Sequence, residues 1–236
     1  MTEVRVFDDA DALGRTLAAE ILASYGASRG AFLLGCPGGR SLRTTYRALA
    51  ATRPDVSRLV VVMMDEYAGA PPDAHYSCRR FAREELAEPL GLDAEQVWLP
   101  DEEDPAAYDA RIEAAGGVDL FLLASGASDG HVAFVPPGSP AAGRTAVLEL
   151  AQTTRRDNLA TFPAFRTLDE VPTHGVSVGL GTILGARALR LVLHGAGKRA
   201  AAARLLDLDR FDPAWPASIV HEHEDAQILL DREALP

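Results

Sequence analysis

The chain has 236 residues, 47% of them hydrophobic and 24% charged, enough apolar material to close a sizeable core without disulfides or a structural metal. A net charge of −11 excludes a general nucleic-acid or anionic-membrane surface, so an anionic small molecule has to be held by a local cationic pocket. No apolar run approaches the roughly 20 residues of a membrane span, and Cys36 and Cys78, with no metal-ligand spacing and no secretory segment ahead of them, read as free thiols of a reducing, cytoplasmic compartment.

Residues 9–25 place Leu13, Leu17, Ile21 and Leu22 at helical spacing. Residues 31–35 form a short apolar run, read as the first buried strand. Cys36-Pro-Gly-Gly-Arg-Ser41 follows, then a helix over 42–52. Strand, glycine turn and helix N-terminus aim several amides at one spot, which makes Gly38, Gly39, Arg40 and Ser41 candidate anion-binding residues. Residues 59–64 read as a second, central strand, apolar on both faces and ending on Asp65 and Glu66, where a general base is useful. A helix begins near 75–80 and runs through Phe81, Leu86 and Leu90. The acidic run 101–104 reads as solvated surface before a helix over 107–115.

Residues 120–124 read as a third strand, breaking into Ser125-Gly-Ala-Ser-Asp129-Gly-His131. An acid and an imidazole two positions apart, flanked by glycines at a strand's carboxyl end, are poor core and good chemistry. Residues 144–151 read as strand-like and 153–158 as a polar connection containing Arg155 and Arg156. A glycine-rich segment over 176–182 leads into a short helix over 183–188. Leu191-Val-Leu-His-Gly-Ala-Gly-Lys198 repeats the strand, glycine turn and helix pattern, and residues 226–230 read as the last strand. Of the 23 basic residues Lys198 alone is lysine, which marks it for a role arginine does not fill, such as a compact charge on a phosphate.

Strands alternating with helices, with no internal repeat and no dividing linker, predict one domain over 1–236. Its fold class is α/β: a doubly wound, mostly parallel sheet with helices on both faces, a Rossmann-like three-layer sandwich. Four strand ends then bring an anion cradle, a cation, carboxylates and an imidazole to one edge. That set suits proton transfer on a phosphorylated small molecule. It lacks the Gly-x-Gly-x-x-Gly of a dinucleotide site and the Gly-Lys-Ser/Thr of a phosphate-loop kinase. One acid and one imidazole are too few for a metal, so neither metal nor cofactor is expected.

The same residues carry a resemblance. The segment from Leu34 to Leu49, Met64-Asp-Glu-Tyr67, Ser128-Asp-Gly-His-Val-Ala-Phe134, Val178-Gly-Leu-Gly-Thr182, Gly195-Ala-Gly-Lys198 and Trp215-Pro-Ala-Ser218 are similar, in order, to the glucosamine-6-phosphate deaminase family and its wider group with 6-phosphogluconolactonase. The resemblance implies that Asp65 is the base moving a proton between C1 and C2. It implies that His131, with Asp129 beside it, opens the pyranose ring, and that the 38–41 loop and Lys198 hold phosphate. Water then releases ammonia from a ketose imine without a metal. Three positions depart from the pattern. Pro136 replaces a glutamate paired with the histidine, leaving Glu66 or Asp129 to substitute. Arg40 replaces a phosphate-loop glycine. Ala160 replaces a phosphate arginine, leaving Arg40, Arg155 or Arg156 to take its part. A lactonase-type hydrolase and a non-catalytic sugar-phosphate-binding protein are the alternatives. The expected state is a monomer or homodimer.

Overall fold

A computed structural model describes residues 2–236, apart from the side chain of Ala160. The strands are β1 (Glu3–Phe7), β2 (Phe32–Cys36), β3 (Leu59–Met63), β4 (Asp65–Tyr67), β5 (Val97–Trp98), β6 (Leu120–Ala124), β7 (Ala146–Glu149), β8 (His174–Ser177), β9 (Leu189–Leu193) and β10 (Ala226–Asp231). The helices are α1 (Ala10–Ala27), α2 (Arg43–Ala51), α3 (Cys78–Ala82), α4 (Glu88–Leu90), α5 (Pro105–Ala114), α6 (Gln152–Thr161), α7 (Leu180–Leu184) and α8 (Arg199–Leu206). A single π turn, Arg83–Ala87, joins α3 to α4.

Seven strands form one all-parallel sheet in the order β1-β10-β9-β6-β2-β3-β5. Its central strands are covered on both faces, so they read as unbroken apolar runs rather than alternating ones. One face packs Leu13, Leu17 and Ile21 of α1 with Tyr46 and Leu49 of α2 and Phe81 of α3. The other packs Tyr108 and Ile112 of α5, Ile183 of α7 and Leu205 of α8. Leu120, Phe121, Leu122 and Leu123 are each at most 2% exposed, and burying side chains of that size contributes about 1.5–3 kcal/mol each. The helices also start where capping chemistry allows. The carboxylate of Asp9 accepts from the amide of Ala12 at 2.7 Å, and Ser77 accepts from the amide of Arg80.

The expected doubly wound α/β fold is therefore present, with three corrections. First, β1 precedes the strand read as first. It is an edge strand paired only with β10, and Val4 and Val6 remain 41% and 49% exposed, so no buried run announced it. Second, Asp65 does not simply end β3. It opens β4, which leaves the main sheet and pairs antiparallel with β8, and β8 in turn with β7. This second, three-stranded sheet stands beside the carboxyl edge of the first. Third, residues 153–158 are not a connection but most of helix α6. Their polarity reflects a helix with one face on a cleft and the other in water.

Candidate active site

The loop after β6 is closed by the Gly126 amide, which donates to the His131 carbonyl at 2.7 Å. A Cβ on Gly126 would lie 2.2 Å from His131 Nδ1, so only glycine lets the ring pack there. Gly130 turns the chain at φ +68°, with the indole of Trp215 against it. The Ala217 amide donates to the Gly130 carbonyl at 2.7 Å. The Trp215–Ser218 segment thus buttresses the Asp-Gly-His turn from behind.

Within that turn Asp129 Oδ1 and His131 Nδ1 are 2.7 Å apart, and Oδ1 also accepts the His131 amide at 3.1 Å. From α6, the Thr153 hydroxyl donates to Asp129 Oδ2, and Thr154 Oγ1 stands 3.2 Å from His131 Nδ1. Burial pushes the Asp129 carboxyl up, but its bonds and charge pairing with His131 and the Thr153 hydroxyl outweigh that and hold it well below the usual carboxylate range. The imidazole is oriented through Nδ1 by a carboxylate, and Nε2 has no protein partner among the described residues.

Asp65 is 5% exposed at the start of β4, and among the described residues its side chain has one hydrogen-bond partner, the Cys78 thiol, which donates to Oδ1 at 3.2 Å. Burial pushes the Asp65 carboxyl up to about 6. The Cys78 thiol and the charge of His131 oppose the rise, and the charge of Glu66 adds to it. A carboxylate poised near neutrality suits a general base. With Asp65 as a base, the Cys78 thiol would be its positioning residue. Cys78→Ala removes the donor, so the acid limb of the pH–rate profile is expected to move to higher pH, with KM unchanged. Cys78→Ser keeps a donor and should keep the limb near its wild-type position. An Ala variant with an unmoved limb would contradict this role.

Glu66 does not line the cleft with Asp65. Its carboxylate accepts the amides of Tyr67, Cys78 and Arg79 and the Ser77 hydroxyl, each at 2.9 Å, and so caps the start of α3. Arg155 and Arg156 are also displaced from their expected place. Arg155 donates to the carbonyls of Leu168 and Val171, tying α6 to the segment after it, and Arg156 donates to the Gln152 side chain at the surface. The physical reason is helical period: the cleft face of α6 carries Asp157, Asn158 and Thr161, which turns 155 and 156 elsewhere.

A cleft of about 620 Å³ opens at the carboxyl ends of β2, β3, β6 and β9. Gly38, Gly39, Arg40, Ser41, Asp65, His131 and Lys198 all line it. No amide of residues 38–41 donates to a protein acceptor among the described residues. Lys198 is the N-cap of α8, and its Nζ donates to the Ser125 carbonyl at 2.6 Å. Burial draws its pKa down, opposed by Asp157 and Asp129 and reinforced by Arg40. His194 Nε2 bonds the Ser41 carbonyl at 3.0 Å and ties the two glycine loops together. Tyr67, Phe134 and Phe162 form an aromatic wall, with Tyr67 and Phe134 centroids 4.7 Å apart.

Sequence reasoning missed Cys78, Thr153, Thr154, Asp157 and the aromatic wall. Reading 153–161 as a helix would have placed Thr154, Asp157, Asn158 and Thr161 on one face at i, i+3, i+4, i+7. Asp157 also completes a group with Asp129 and His131 whose ligand-capable atoms lie within 4.8 Å of one another, so a divalent cation has three donors to meet there.

The family model described as glucosamine-6-phosphate isomerases/6-phosphogluconolactonase matches residues 8–229. Glucosamine-6-phosphate deaminase of Streptomyces avermitilis is 38% identical, over 98% of this chain and 91% of its own. That of Bacillus pumilus is 34% identical, over 97% and 96%. A solved structure of a monomeric glucosamine-6-phosphate deaminase superposes with a TM-score of 0.91 at 27% identity, covering 99% of this chain and 98% of that one. The 6-phosphogluconolactonase of Leishmania guyanensis shares the fold, with a TM-score of 0.75 at 19% identity.

Proposed function

We propose, given that the chain belongs to the family of glucosamine-6-phosphate isomerases and 6-phosphogluconolactonases, that it converts glucosamine 6-phosphate to a ketose phosphate with release of ammonia. The observation that carries this reading is Asp65, a buried carboxylate with one free oxygen, facing a cleft that also holds an oriented imidazole and an anion cradle. The phosphate sits on the amides of residues 38–41 and on Lys198, with Arg40 at the rim. This anchors C1 and C2 against Asp65. His131, held by Asp129, opens the ring. Asp65 then moves a proton between C2 and C1, and water displaces ammonia from the resulting imine. These steps need no metal or cofactor.

The reading treats 1–236 as one sugar-phosphate domain acting in the cytoplasm. No helix of the described residues is long and apolar enough to cross a membrane. The similarity to a monomeric deaminase supports a monomer over a homodimer. One observation favours lactone hydrolysis instead: Pro136 stands where the deaminase resemblance implies a glutamate. Ammonia release from glucosamine 6-phosphate, run beside hydrolysis of 6-phosphogluconolactone, separates the two. Turnover of the first is expected; turnover of the second alone would reverse the assignment, and binding without turnover of either would make the chain a sugar-phosphate-binding protein.

A further inference from the structure

We infer that Asp157 is a catalytic residue of ring opening, acting with His131 on the two oxygens of the sugar's anomeric carbon. The inference rests on the deaminase reading above and deepens it. Asp65 and Asp157 are the two carboxylates that line the cleft among the described residues. Asp65 is committed to the carbon acid. Glu66 is a helix cap, and Val135-Pro-Pro-Gly138, the loop beyond His131, carries no acid. Asp157 is held loosely. Its oxygens accept from the Ala127 amide at 3.3 Å and the Ser128 hydroxyl at 3.4 Å, so the carboxylate keeps acceptor capacity for a ligand.

Its placement relative to His131 is fixed by the helix they share as a support. Thr153 and Thr154 of α6 reach Asp129 and His131, and Asp157 lies one turn further along. An Asp157 oxygen lies within 4.8 Å of an imidazole nitrogen without bonding it, and both side chains line the cleft, so a hemiacetal held there meets a proton donor and a proton acceptor. The step balances without a co-reactant. The O1–H proton passes to Asp157, C1=O1 forms, and the C1–O5 bonding pair goes to O5, which takes a proton from protonated His131. Asp157 then returns its proton to His131 through solvent, and nothing is oxidised or reduced.

Two reactions of the same protein test this. Ammonia release from the pyranose needs ring opening. Deuterium exchange at C1 of fructose 6-phosphate, in D2O with ammonium present, needs Asp65 but no pyranose. In Asp157→Asn, kcat for ammonia release is expected to fall by about 10²-fold or more, while exchange stays within about twofold of wild type. Asp157→Glu should recover part of the loss. Loss of exchange in both the Asn and the Glu variant would make Asp157 structural and overturn the inference, as would unchanged ammonia release in Asp157→Asn. Because exchange is itself a folding control, an unfolded variant is recognised at once, and the Glu variant then decides. Wild-type protein lacking both reactions would refute the deaminase reading, a result distinct from any seen only in the variants.

Discussion

Asp65→Asn is expected to lower kcat for ammonia release by about 10³-fold or more, leave phosphate affinity nearly intact, and make the protein more stable at neutral pH. The first two effects follow from the geometry. Asp65 lines the cleft with one oxygen unbonded among the described residues, and the proposed phosphate site, residues 38–41 with Lys198, lies on other strand ends. The third follows from linkage. Asp65 has its carboxyl pushed up to about 6 in the fold, above its ordinary value of 3.8. Folding therefore opposes its ionisation. Below the ordinary value the carboxyl is neutral in both states and costs nothing. As the pH rises toward 6 the penalty grows, to about 3 kcal/mol once the group is charged in both states. An uncharged amide escapes it, so the melting temperature of the variant should exceed wild type at pH 7, and the difference should shrink toward pH 4. The same position predicts wild-type activity rising through about pH 6 as the base deprotonates. A variant that retained C1–C2 proton exchange would remove Asp65 from the mechanism.

Lys198→Ala carries the next largest expectation, a KM for the sugar phosphate raised by about 10- to 100-fold, the worth of one charge-assisted hydrogen bond. The ammonium is already desolvated and fixed on the Ser125 carbonyl, so little ordering is left to be paid on binding. Arg40, whose charge acts on Lys198, is exposed at the rim and is expected to contribute less. The wild-type KM should rise with salt, and the variant's should rise less steeply. An unchanged KM would mean that the amides of residues 38–41 hold the phosphate unaided.

Much of this was legible in the chain itself, for reasons that differ by residue. Buried parallel strands are continuous apolar runs, so β2, β3, β6 and β9 stood out. Parallel strands with crossover helices put their carboxyl ends on one edge. Gly38, Asp65, His131 and Lys198 could therefore be joined before any coordinate was known. Edge strand β1, half exposed, gave no such run. What failed was orientation. Adjacent Asp65 and Glu66 point to opposite sides of a β-strand, so one enters the cleft and the other caps a helix. The polar residues 153–158 gave no hydrophobic period, so their helix went unread and arginines were chosen where Asp157 and Asn158 line the cleft. Polar periodicity carries the same geometric information as apolar periodicity when a helix lines a site rather than a core.

The most direct test of the account is a crystal structure with 2-amino-2-deoxyglucitol 6-phosphate, an open-chain analogue that cannot react. The account predicts its phosphate on the amides of residues 38–41 and on Lys198, C2 against the free oxygen of Asp65, and its O1 and O5 hydroxyls between His131 and Asp157. A phosphate bound instead at Arg155 or Arg156, or C2 turned away from Asp65, would contradict it.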